Sequence, residues 1–161
     1  MARRTEPFPR GEPACVVEYH AHVYYNPRTK PVAASVRERI EKRFPVRMGR
    51  WHDEPVGPHP ISMYQVAFPP ELFATLVPWL MTNRDGLDVL VHPETGDGYT
   101  DHLIYGMWLG TRIDLNEKFL LGLRAKAAPA PARPARRRRK APPSPGTRRR
   151  PAARTASRTR P

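Results

Sequence analysis

One stretch, Val16-Val17-Glu18-Tyr19-His20-Ala21-His22-Val23-Tyr24-Tyr25, limits the fold more than any other. It is rich in β-branched and aromatic residues, and Asn26-Pro27 stops it, so it reads as a strand. Successive side chains on a strand point to opposite faces. Val17, Tyr19, Ala21, Val23 and Tyr25 therefore share one face, and Val16, Glu18, His20, His22 and Tyr24 the other. The first face is apolar enough to be core. The second is a row of side chains able to do chemistry.

The elements that follow decide how such a strand is covered. Val32, Val36, Ile40 and Phe44 recur every four residues with charged residues between them, which predicts an amphipathic helix closed by Pro45. Val46–Trp51 reads as a short strand. His52–Pro60 holds three prolines and a glycine and reads as a rigid loop. Ile61–Phe68 is the next strand. Pro69-Pro70-Glu71 opens a helix running to about Asn83, which Pro78 should bend. Leu87–Val91 is a strand, His92–Gly98 a loop, and His102–Leu109 a last apolar segment expected to be extended. The order β-α-β-β-α-β predicts an α+β fold of the ferredoxin-like, split βαβ type: an antiparallel sheet with two helices on one face, plus a C-terminal extended segment. The opposite sheet face must then meet a ligand or a second subunit.

Charge is divided unevenly along the chain. Residues 1–124 hold 15 Lys and Arg against 15 Asp and Glu, so the formal net charge of +13 belongs entirely to residues 125–161. A basic nucleic-acid-binding fold is thereby excluded for the domain. The organisation expected is a flexible N-terminal arm over 1–14, one domain over 15–124, and a disordered Ala/Pro/Arg-rich tail over 125–161. Arg136–Lys140 and Arg148–Arg150 would attract phosphates weakly and without sequence preference, and no aromatic interleaves them to stack on bases. The best apolar run, Leu72–Met81, is too short to span a bilayer and contains Pro78. The twin arginine at Arg3-Arg4 has no apolar stretch behind it. Cys15, the single cysteine, is read as a small apolar residue at the start of the first strand. These features together predict a cytoplasmic protein with no membrane contact.

All six histidines lie in the neutral part. His20 and His22 stand two apart on a strand, so they share a face at about 6.5–7 Å and can converge on one metal ion. His52 and His59 bracket the proline-rich loop, His92 ends a strand, and His102 begins the last segment. A pair of ordinary polar residues on an exposed face is the plain alternative for His20 and His22. The nearby carboxylates are Glu18, Asp53, Glu94, Asp97 and Asp101, any of which a two-histidine, one-carboxylate iron site would need. Asp101 could instead orient the imidazole of His102.

Tyr19–Tyr25, Pro55–Pro60, Pro78-Trp79-Leu80 with Asn83-Arg84, Val89–Gly96, Asp101-His102 and Trp108-Leu109-Gly110 occur in that order, and from about Glu18 to Asn116 the chain resembles the DOPA 4,5-dioxygenase family. The resemblance implies a ferredoxin-like homodimer that uses iron(II) and dioxygen to cleave a catechol such as L-DOPA in the extradiol manner. It implies His20, His22 and His92 as metal ligands, with Glu18 or Asp101 as substitutes for the third. His59, His102 and Asp101 become the acid/base and orienting candidates. Arg84 is the candidate partner for a substrate carboxylate, and Trp51 and Tyr24 the candidates to line the ring pocket. Trp79 and Trp108 are read as core or interface residues. Two competing expectations stand beside this one: a non-enzymatic dimer whose histidines hold zinc, and a polyanion-binding protein acting through its tail.

Overall fold

In the computed structural model, which describes residues 16–127, the first strand is β1, Glu18–Tyr24. It is the centre of a five-stranded sheet in the order β2-β3-β1-β4-β5, with every neighbouring pair antiparallel. The other strands are β2 (Arg47–His52), β3 (Met63–Phe68), β4 (Val89–Glu94) and β5 (Met107–Leu109). Helix α1 (Lys30–Arg43) joins β1 to β2, and α2 (Phe73–Asn83), preceded by a short 3-10 turn at Pro70–Leu72, joins β3 to β4. This is the expected split βαβ sheet with one strand added at the β4 edge.

Alternation along β1 carries the layering. Ala21, Val23 and Tyr25 enter one core with Ala33, Val36 and Ile40 of α1, Leu76, Val77 and Leu80 of α2, and Tyr64, Val66 and Phe68 of β3. Tyr19 packs against that core, whereas Val17, expected with it, is 74% exposed ahead of the strand. On α1 the inward stripe is Ala33, Val36 and Ile40, and Val32 lies at the solvent margin instead. Asn26 sets the start of that helix: its Oδ1 accepts from the amides of Arg28 and Thr29, and its carbonyl from that of Lys30. Pro78 lies inside α2, where it removes the amide that would bond back to Ala74.

Two elements differ from the sequence-based expectation. His102–Leu109 is not extended throughout. Gly98–Leu103 forms helix α3, and only Met107–Leu109 pairs, against Val89–Val91. The helix begins where the carbonyl of Asp97 accepts from the amide of Asp101, while Asp97 Oδ2 accepts from Thr100 Oγ1. Gly106 permits the turn out of it, since a Cβ there would lie 2.4 Å from the His102 carbonyl oxygen. A further helix, α4 (Glu117–Ala127), runs past the expected boundary between 124 and 125. Asn116 Oδ1 caps it through the Phe119 amide, and Leu120 anchors it, fully buried. The arm, Cys15 and the basic blocks lie outside the described residues. Among the described residues no helix is long and apolar enough to cross a membrane.

Candidate metal centre

The sheet face opposite the helices gathers five of the six histidines. His20 and His22 come from β1, and His92 lies directly across from His20 in the β1–β4 ladder. His59 comes from the proline-rich loop, which Val56 and His59 close by exchanging amide–carbonyl bonds, with Gly57 at φ +59 turning the chain between them. His102 comes from α3. Two groups of three result, each with ligand atoms within 4.8 Å of one another: His20, His22 and His92, and His22, His59 and His102. His22 belongs to both. His52 ends β2 and joins neither group.

The proton positions follow from the partners. His92 Nδ1 is 2.8 Å from the Pro93 carbonyl and His102 Nδ1 is 2.8 Å from the Gly98 carbonyl. A carbonyl only accepts, so each Nδ1 carries the hydrogen and each Nε2 keeps a lone pair, as in a metal-ligating histidine oriented from behind. Nε2 of His22 and of His92 are 3.0 Å apart. Two ligands at right angles on an ion with bonds of about 2.1 Å are about 3.0 Å apart, so this spacing suits adjacent positions on one ion. Without an ion, His22 must donate there, and its buried Nδ1 is left without a hydrogen-bond partner. An unsatisfied buried polar atom costs about 1–3 kcal/mol, so this arrangement is not one that stability alone would select.

Burial holds His22, His59, His92 and His102 neutral. It is the largest cause that lowers the pKa of His22 far below the ordinary imidazole range, with His59, His92, His102 and His20 adding to it. His59 is pushed down to about 3 by burial, then by His102 and His52. His92 falls to about 2 through burial and His102, against the opposing pull of the Pro93 carbonyl. His102 moves the same way for the same first reason. Neutral imidazoles are the ligating form. The donor set therefore fits a borderline divalent ion such as iron(II) or zinc, and neither group of three contains a carboxylate.

The other candidates divide by location. Glu18 accepts from His20 Nε2 at 3.0 Å and from Arg47 at 2.9 Å; the His20 bond, then Arg47, holds its carboxyl below the usual range. It stands behind His20 as an orienting group. Tyr24 places its hydroxyl 2.7 Å from His59 Nδ1 and stacks on Trp108 at 5.5 Å. Burial raises the Tyr24 phenol, so it stays protonated. Asp101 is fully buried and accepts from the Thr95 amide and Thr95 Oγ1, which commits it to the β4–α3 turn rather than to the His102 ring. Trp51 lies on the helix side, against Tyr25, Tyr64 and Arg37. Arg84 donates to the Leu87 carbonyl and flanks Gly110, beyond the end of β4 opposite to His92. Trp79 packs on Phe44 in the core.

Three features were not singled out from the sequence. His59 and His102 make, with His22, a second group of three that could hold an ion. Glu94 Oε2 lies 3.8 Å from His20 Nδ1, a placement that follows from the Glu18↔Glu94 register. A cavity of about 40 Å³ opens beside His102, with Trp108 and Arg112 in its wall.

A candidate dioxygenase from Nostoc punctiforme, known as a crystal structure, is 53% identical with a TM-score of 0.69, over 71% of this chain and 99% of that one. An uncharacterized 21.2 kDa protein of Botryotinia fuckeliana is 35% identical over 122 residues, 68% of this chain and 67% of its own. DOPA 4,5-dioxygenase of Amanita muscaria is 32% identical over 110 residues, 63% of this chain and 48% of its own, so this chain spans about half the length of that enzyme. The model of the Dopa 4,5-dioxygenase family matches residues 19–119, which contain all five clustered histidines, and the chain belongs to that family.

Proposed function

We propose that the protein is a non-haem iron(II)-dependent extradiol dioxygenase that opens the ring of a catechol such as L-DOPA. The observation that carries this is the pair of histidine triads sharing His22, two of the three rings in each buried, on the sheet face opposite α1 and α2. His20, His22 and His92 are the residues that would hold the ion. An iron(II) ion so held supplies Lewis acidity toward the catechol hydroxyls and one-electron exchange between the ring and dioxygen. The rest falls to the chain. Glu18 fixes the ring of His20, and the Pro93 carbonyl fixes that of His92.

The hydroxyl of Tyr24 is 2.7 Å from His59 Nδ1 and, in this reading, donates to it. In that tautomer His59 carries its hydrogen on Nε2, available to a substrate oxygen, and the ion is left to His20, His22 and His92. His102 has the reverse arrangement, a bare Nε2 backed by the Gly98 carbonyl, and suits acceptance of a catechol proton. The two rings are 5.5 Å apart between centroids, so one can take a proton and the other give one within one small volume. Self-association belongs to the same reading; Phe119, Leu121 and Leu123, exposed on α4, support it.

The deciding experiment loads the full chain with iron(II) without oxygen, then adds L-DOPA and air-saturated buffer. A yellow ring-opened chromophore and one dioxygen consumed per catechol are expected. No oxygen uptake with L-DOPA, 4-methylcatechol or 3,4-dihydroxyphenylacetate would remove the enzyme reading. Retention of zinc without turnover in the iron-loaded form would favour a non-enzymatic metal-binding protein, since zinc cannot exchange electrons. His20→Ala and His22→Ala should each lose iron while keeping their circular dichroism.

A further inference from the structure

Holding an ion and moving protons leave the cavity beside His102 without a task. Its lining includes His102, Leu103, Trp108, Ile113, Leu115 and Arg112, the last of them exposed. Its volume of about 40 Å³ takes a few waters, or a carboxylate and one methylene, but not an aromatic ring. Building on the function proposed above, we propose that this cavity receives a carboxylate carried on the side chain of the catechol, with Arg112 as its partner.

Several observations converge on that assignment. The guanidinium of Arg112 has no hydrogen bond or ion pair among the described residues, whereas Arg37, Arg39, Arg47, Arg84 and Arg124 are each engaged by a carboxylate or a carbonyl. No acidic side chain lines the cavity, so nothing there competes for the guanidinium. Ile113 and Leu115 pack with Tyr24 and Leu90 in a small apolar cluster, which lowers the local dielectric and strengthens a charge pair at the rim. Trp108 presents an indole face that is already stacked on Tyr24. His102 borders both the cavity and the cluster: its ring centroid is 4.0 Å from that of His92. A catechol whose diol lies at the histidines can therefore reach the cavity with a short side chain. Arg84, the arginine singled out from the sequence for this task, is committed elsewhere.

The test reads binding without turnover. The full chain, loaded with iron(II) under nitrogen, is titrated calorimetrically with 3,4-dihydroxyphenylacetate and with 4-methylcatechol, which has the same ring without the carboxylate. Wild type should bind the acid more tightly. Arg112→Ala should weaken the acid by about 10- to 100-fold, the range of a charge-assisted hydrogen-bond pair, and leave 4-methylcatechol within about twofold. Arg112→Lys should recover part of the loss, since it keeps the charge and loses the bidentate fork. Equal affinities for both catechols in wild type, or an unchanged affinity for the acid in Arg112→Ala, would overturn the subsite. The two proposals fail differently. Tight, Arg112-dependent binding with no later oxygen uptake keeps the subsite and removes the dioxygenase. Oxygen uptake with the acid bound equally by wild type and Arg112→Ala does the opposite.

Discussion

Acid should unfold the metal-free protein at a pH where its carboxylates are still ionised, and the histidine cluster is the reason. In an unfolded chain an imidazole takes up its proton near pH 6.5. In the folded chain His59 does so only at about 3 and His92 only at about 2. Between those values the unfolded state binds more protons, so acidification drives unfolding. The stability in question is fully present above pH 6.5 and is lost as pH falls toward the folded values. At pH 5 each of the two residues has given up about 2 kcal/mol, from about 1.4 kcal/mol per pH unit over about 1.5 units. Together that is about 4 kcal/mol out of a typical total of about 5–15 kcal/mol, and His22, depressed in the same direction, adds to it. Urea titrations at pH 8, 7, 6 and 5 with a chelator present, followed by tryptophan fluorescence, would measure it. Below pH 6 the unfolding free energy should fall by at least about 2.7 kcal/mol per pH unit, the slope of two protons. His92→Leu should reduce that slope by one proton. An unfolding free energy constant within about 1 kcal/mol from pH 7.5 to 5 would refute the reasoning, because it would mean that the rings ionise in the folded state and are not sequestered.

Three further perturbations probe separate parts of the site. Tyr24→Phe removes the donor to His59 Nδ1 and should cost about 1 kcal/mol; nitrogen NMR of the His59 ring should report a changed tautomer population, and an unchanged spectrum would break that link. His22→Leu deletes the buried, unpartnered Nδ1. Because it also removes the donor to His92 Nε2, the two effects should offset, leaving the metal-free protein within about 1 kcal/mol of wild type above pH 7 while abolishing metal retention, measured by urea midpoint and elemental analysis. Gly106→Ala would put a Cβ 2.4 Å from the His102 carbonyl and 2.9 Å from Leu90 Cδ1. It should destabilise by about 1–3 kcal/mol and displace His102, seen as a lower melting temperature and weaker metal binding together.

The sequence disclosed what depends on local periodicity and withheld what depends on register. Alternation along β1 separated a core face from a histidine face, and burial of Ala21 and Val23 against His20 and His22 opposite follows directly from it. On α1 the four-residue repeat nominated Val32, but a helix turns 100° per residue, so a strict spacing of four drifts and Ala33 takes the inward position. Trp51 shows a different limit. A register shift between Met48 and Trp51 lets β2 change which residues face the helices, and nothing in Arg47–His52 announces it. The Trp51 side chain therefore went to the core while the sequence offered it to the pocket.

The site itself shows most plainly where local reading ends. His20 and His22 were a pair on one strand, but their meaning depends on His92 standing opposite His20 across the ladder, on a loop that closes upon itself to deliver His59, and on α3 to deliver His102. Each of those is a contact between segments distant in sequence. Composition could register the excess of histidine, but only the pairing of strands makes five imidazoles neighbours. The same holds for charge. Arg84 and Arg112 are equally plausible anion partners as letters in a chain, and they differ in that Leu87 offers a carbonyl to one while the other has no partner among the described residues. A guanidinium satisfied by its own backbone has little left to give a substrate; one left free beside a small, acid-free cavity next to His102 is where discrimination between catechols should be sought.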